Sequence, residues 1–283
     1  MKNVFKILKT QLLSFLVFLN IILISASANA QSISISPSRL FFTGNAGQEL
    51  TEQVTLTNSG TTSVIFRSSL MDWKRDSIGE KQYAPANTLP SSNASWIEVK
   101  PNVITVPANG SAIVTVTMHV PAKLPTASVS NSMLFLTQIN EQLAKTTAKG
   151  NSPRIGVSVK LEFGVHVYFT QPTALSKDLD IAAFDYRGII TEKGVKVRRF
   201  AIKVKSNGTV VTDGTLRFDI TNQTTGTDYK VEPRALSFLP GNEQVVYLDL
   251  PVTLTGKYVL VALLDSGEET SLKVAKKEID LKD

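Results

Sequence analysis

The chain has 283 residues, with 30 Lys and Arg against 24 Asp and Glu, no cysteine and two histidines. The missing cysteines exclude disulfides, thiolate nucleophiles, iron–sulfur clusters and cysteine zinc sites. Lys2, Lys6 and Lys9 fall in an N-terminal leader, so residues 31–283 hold 27 basic against 24 acidic residues, and that balance of +3 is too small for an electrostatic nucleic-acid footprint.

The leader has a positive start, an apolar run over 12–24 broken only by Ser14 and Asn20, and a small-x-small ending at Ala28-Asn29-Ala30. This pattern predicts a signal peptide over 1–30, cleaved after Ala30. The run is short for a membrane span, which needs about 20 apolar residues. No cysteine follows the site to carry a lipid, so the expected product is an exported, soluble chain with no membrane anchor after cleavage. The expected location is the periplasm of a Gram-negative cell, with the cell surface as the other compartment.

After the leader the texture is that of short strands cut by turn signals. Ser32-Ile33-Ser34-Ile35-Ser36 alternates, Pro37 interrupts, and Arg39-Leu40-Phe41-Phe42 follows. Residues 52–57 alternate around Val54 and Leu56 and turn at Asn58-Ser59-Gly60. Residues 104–106, a Pro107-Ala108-Asn109-Gly110 turn and residues 113–118 read as strand, turn, strand, and 133–139 is a further apolar run. The one helix candidate is a weak one over 141–149. Beyond Gln171-Pro172-Thr173 the texture repeats at 200–204, 216–220, 245–250, 258–264 and 271–275, with Asn207-Gly208 and Asp213-Gly214 as hairpin signals. The reading is an all-β chain of two tandem immunoglobulin-like sandwiches, 31–172 and 173–283.

Catalytic patterns are missing. There is no Gly-x-Ser-x-Gly elbow, phosphate-binding glycine loop or His-Glu-x-x-His. Asp178-Leu179-Asp180 lacks the further oxygen ligands and the glycine turn of a calcium loop. Lys196-Val197-Arg198-Arg199 and Lys276-Lys277 read as exposed strand faces. The expectation is a protein that is not an enzyme, with no cofactor and no metal.

Residues 154–169 stand apart. The odd positions, Ile155, Val157, Val159, Leu161, Phe163, Val165, Val167 and Phe169, are all apolar. The even ones are Arg154, Gly156, Ser158, Lys160, Glu162, Gly164, His166 and Tyr168. Sixteen residues of strand at about 3.3 Å each span roughly 50 Å, more than one sandwich needs for its core. The first half is then an apolar comb that must be covered or must pair. It could be covered at home, as a hairpin arm against 133–139.

In this order of segments the chain resembles the periplasmic chaperones of pilus assembly. The resemblance rests on Ser36-Pro37-Ser38-Arg39-Leu40-Phe41-Phe42-Thr43-Gly44, Val106-Pro107-Ala108-Asn109-Gly110, Val120-Pro121-Ala122-Lys123-Leu124-Pro125, the 133–139 strand and the comb ending near Pro172. It covers residues 31–172, and the second sandwich only as a fold. It implies a protein that donates the comb, through Ile155, Val157, Val159 and Leu161, to the incomplete sandwich of a secreted pilus or surface-fibre subunit. It further implies a carboxylate anchor in the cleft between the sandwiches, with Arg39 in the arginine position. The family's lysine position falls near His166, so either this histidine replaces it or Lys160 takes over after a bulge. An idle comb could also be capped by a second copy, as a dimer.

The other reading is an envelope or cell-surface immunoglobulin-like binding or structural protein without chaperone activity. Its contacts would be Trp73, Lys74, Arg75 and Tyr83, in a loop-prone stretch from Asp72 to Tyr83.

Overall fold

The computed structural model describes residues 33–140, 160–173, 175–267 and 270–282. The leader, the helix candidate at 141–149 and the comb residues Ile155, Val157 and Val159 lie outside the described residues. The described chain is strand throughout, apart from one short 3-10 turn at Ala94–Trp96. Among the described residues no helix is long and apolar enough to cross a membrane.

Ten strands precede Pro172: β1 (Ile33–Ser36), β2 (Arg39–Thr43), β3 (Glu49–Asn58), β4 (Val64–Arg75), β5 (Lys81–Pro85), β6 (Ile97–Lys100), β7 (Val103–Val106), β8 (Gly110–His119), β9 (Val129–Gln138) and β10 (Glu162–Thr170). They form two sheets, β1-β3-β8-β6 and β2-β10-β9-β4-β5, with β7 pairing the first half of β4. Period-two alternation turns Val54 and Leu56 of β3, and Val114, Val116 and Met118 of β8, onto Phe66, Leu134, Leu136, Val165, Val167 and Phe169 of the facing sheet. Pro37 ends β1, and the chain passes from one sheet to the other before β2 begins.

Seven strands follow: β11 (Leu179–Glu192), β12 (Val195–Ser206), β13 (Thr212–Asn222), β14 (Arg234–Phe238), β15 (Glu243–Pro251), β16 (Gly256–Asp265) and β17 (Lys273–Leu281). Their sheets, β11-β12-β15 and β14-β13-β16-β17, close on a second core that includes Phe200, Ile202, Leu216, Ile220, Leu248, Leu260 and Leu264. The architecture is the expected one, two tandem β-sandwiches.

Three local expectations change. Asp213-Gly214 is not a turn but lies inside β13; a Cβ on Gly214 would stand 2.8 Å from Leu179 Cδ1 and 3.2 Å from the Asp265 carbonyl, so close packing rather than a hairpin requires the glycine. The stretch from Asp72 to Tyr83 is not a loop: β4 runs to Arg75, β5 starts at Lys81, and Trp73 pairs in register with Tyr83. Arg198 is not on an exposed face. It is 3% exposed, and its Nη2 donates to the carbonyls of Val252 (3.2 Å) and Lys282 (2.6 Å).

Candidate functional site

β10 lies between β2 and β9, and the two sides of the strand are paired unequally. Residues 162–170 all pair with β9, in register Glu162 with Thr137 through Thr170 with Val129. β2 runs parallel to β10 and pairs only from His166 onward, Arg39 with His166 through Thr43 with Thr170. Among the described residues, positions 162–165 therefore pair on one side only. Burial follows the pairing: Glu162 and Gly164 are exposed and Phe163 is half-buried, whereas every residue from Val165 to Thr170 is buried. Leu161 is partly buried and tied to the end of β9, its N–H donating to Gln138 Oε1 (3.1 Å) and its carbonyl accepting from the Gln138 N–H (2.8 Å).

From His166 onward the even-numbered face of β10 is buried, not solvent-facing as simple alternation would have it. Tyr168 joins Trp73, Val129 and Met133 in a small third cluster, which Val211 and Leu239 of the second sandwich help to cover. Trp73 is 1% exposed, and its Nε1–H donates to the Ser132 carbonyl at 3.2 Å. It is thus excluded as a surface contact, which removes the central residue of the envelope-binding reading. Of the other contacts in that reading, Tyr83 is exposed and packs its ring 5.3 Å from Phe135.

His166 is enclosed by this cluster. Its ring lies edge-on to Trp73, with centroids 4.7 Å apart, and its Nδ1 is 3.2 Å from Tyr168 Oη. Burial, then the positive charges of Lys81, Arg39 and Arg75, push the imidazole down to about 3. The neutral ring brings one N–H donor and no charge. Burial likewise pushes the Tyr168 phenol up to about 12.

Arg39, beside His166 in register, opens into a cleft of about 680 Å³ between the sandwiches, with Arg75, Gly79, Asp213, Gly214 and Gln244 also on its walls. Its Nη1 donates to Asp213 Oδ2 at 2.6 Å. Arg75 donates to the Gly79 carbonyl (2.6 Å) and lies over the Trp73 ring at 5.7 Å. Lys81 is the register partner of Arg75, and partial burial, Arg75 and Arg39 together lower its pKa. Phe41 is half-exposed and stacks on Tyr168, centroids 5.2 Å apart, two residues from Arg39 on the same strand.

The structure thus brings Arg39 and His166 together. Lys160 is exposed, two residues before β10, and does not line the cleft. Sequence reasoning placed Arg75 only among the contacts of the envelope-binding reading, and it missed Lys81 and Asp213. Arg75 reaches the cleft wall because β4 and β5 form a hairpin where a loop was expected, Lys81 is its partner on that hairpin, and Asp213 was read as turn material. Among the described residues no group of three or more His, Cys, Asp and Glu could hold a metal ion.

No protein-family model and no curated protein matches the sequence. The solved structures to which the chain is similar include pilus chaperones. One is the chaperone–tip adhesion subunit pre-assembly complex of the archaic chaperone-usher Csu pili of Acinetobacter baumannii, at 14% identity and TM-score 0.47, covering 87% of this chain and 98% of that one. Another is the SafA pilin in complex with the SafB chaperone of Salmonella enterica, at 12% identity and TM-score 0.44, covering 88% and 98%. A third is the E. coli chaperone DraB, at 14% identity and TM-score 0.42, covering 88% and 98%. These likenesses are of fold.

Proposed function

We propose that the mature chain, divided into sandwiches 31–172 and 173–283, is a periplasmic chaperone-like protein, not an enzyme, that binds a secreted pilus or surface-fibre subunit. The observation that carries this reading is the one-sided pairing of β10 at residues 162–165, directly after the apolar comb. A strand with a free edge and alternating apolar side chains supplies what strand addition needs: main-chain hydrogen bonds for affinity, and side chains of one parity for pockets. Ile155, Val157, Val159 and Leu161 are the side chains that would fill the subunit's open core.

Arg39 would hold the subunit's terminal carboxylate in the cleft. His166 is neutral and adds at most a hydrogen bond, so Arg75 and Lys81 on the β4–β5 hairpin are better placed than His166 to add positive charge beside it. A charge-assisted bond at a chain end fixes the register of the added strand as well as its affinity.

The test is purification of the protein from the soluble envelope fraction of its host, with bound partners identified by mass spectrometry. A stoichiometric β-rich subunit, lost with Val157→Asp, is the expected result. Recovery of the protein with a polysaccharide or an outer-membrane protein, unaffected by Val157→Asp, would return it to the envelope-binding class.

A further inference from the structure

The guanidinium meant for an incoming carboxylate already carries one. Asp213, from the start of β13 in the second sandwich, accepts from Arg39 Nη1 at 2.6 Å across the cleft. Among the described residues the pairing runs through Nη1 alone, whereas an arginine–carboxylate fork uses two parallel bonds. Both side chains remain open to solvent, 34% exposed for Arg39 and 58% for Asp213. The other charged groups on the cleft wall are engaged elsewhere: Arg75 with the Gly79 carbonyl, and Asp265 with the Gly267 N–H at 3.0 Å. Arg39–Asp213 is thus a single, wet, one-point contact in a cleft of about 680 Å³, with room for a second carboxylate.

We propose that Asp213 holds in cis the place on Arg39 that a polypeptide's C-terminal carboxylate takes, so that binding is an exchange of one carboxylate for another. This rests on the carboxylate-anchor reading above and adds to it a competitor built into the chain. An internal competitor lowers the apparent affinity for any outside carboxylate by the fraction of time the arginine is occupied. It also makes release of the tie between the sandwiches part of ligand capture.

The test uses the whole mature chain labelled with 15N-arginine, following the Arg39 side-chain signal by NMR. N-acetylglycine presents a chain-terminal carboxylate, and N-acetylaspartate amide presents a side-chain one. Asp213→Asn is expected to tighten N-acetylglycine about two- to five-fold, the scale on which a solvent-exposed ion pair competes. Asp265→Asn removes the same charge from the cleft wall without touching Arg39 and is expected to change little. Equal gains in the two variants would reduce the effect to general electrostatics and overturn the proposal, as would no gain in Asp213→Asn. A larger gain for N-acetylaspartate amide would overturn the assignment to a chain terminus. If Asp213→Asn tightens N-acetylglycine but no subunit is ever recovered from the envelope, the chaperone reading fails and the exchange stands. If a subunit is recovered but Asp213→Asn leaves its affinity unchanged, the exchange fails alone.

Discussion

Asp72 and His166 are both buried polar side chains, and the surroundings satisfy them in different ways. Asp72 is fully buried, and its carboxylate accepts from the Thr88 N–H (2.7 Å), the Leu89 N–H (2.8 Å) and Ser92 Oγ (2.5 Å), pinning the segment after β5 beneath Trp73. Asp72→Ala leaves those donors without an acceptor and should cost roughly 2–4 kcal/mol, read from urea denaturation. His166 is instead kept neutral by burial and by surrounding cations. The folded protein holds its imidazole unprotonated down to about 3, against an ordinary value of 6.5, so below pH 6.5 the unfolded chain binds a proton that the fold refuses. Stability is therefore fully present above that pH and falls as the pH drops, by about 2 kcal/mol at pH 5. His166→Gln should flatten this dependence in urea midpoints measured from pH 5 to pH 7.

At the scale of the element, β10 is a strand of two characters. From Val165 onward it belongs to its own sandwich, while among the described residues positions 162–165 pair with β9 alone. Leu161 is only partly buried, so Leu161→Asp should cost less folding stability than a change in the closed core and remove binding of the proposed subunit, because a charge cannot enter an apolar groove without a large desolvation cost. Val165→Asp, in the closed core, should unfold the protein; circular dichroism with a pull-down separates the two. The β11–β12 hairpin has a clamp of its own. Arg199 donates from Nε and Nη2 to Asp249 (2.8 and 2.6 Å), bonds Glu192 at 3.0 Å and lies 4.5 Å over Tyr247, contacts that raise its pKa further. Arg199→Ala should lower stability by about 1–2 kcal/mol, read from the melting of the second sandwich.

The odd positions of β10 could be read from the sequence, because alternation reports one buried face directly. The even positions could not. His166 and Tyr168 look like a solvent face, yet His166 packs edge-on to Trp73 and Tyr168 sits in a cluster that Val211 and Leu239, dozens of residues away, help to cover. Trp73 is open to two readings for the same reason: a tryptophan among Asp72, Lys74 and Arg75 can be a core aromatic or an exposed contact, and only the packing around it, which makes it core, decides. Strand periodicity carries no record of what lies across a cleft.

At the scale of the molecule, the two sandwiches are joined by the third cluster, by Arg39–Asp213 and by the tip of the β4–β5 hairpin. There the Ser77 carbonyl accepts from the Val245 N–H at 2.7 Å, on the outer edge of β15. Gly79 at this tip has φ +87°, and a Cβ would stand 2.5 Å from Gln244 Oε1. Gly79→Val should break the docking and leave both sandwiches folded. Small-angle scattering would show a broader range of shapes, and calorimetry would resolve two transitions where the parent gives one.

The parallel pairing of β2 with β10 sets an order of events as well as a shape. Residues 39–43 are among the first to leave a ribosome or a translocation pore, yet their hydrogen-bonding partners arrive more than a hundred positions later. Contacts so distant along the chain form slowly, since a large loop must close before they contribute. The sheet holding β10 is consequently the last part of the first sandwich to seal. Among the described residues, the strand that completes the fold late is also the one paired on one side only at its start, so the edge proposed to take up a subunit is finished only when the first sandwich is.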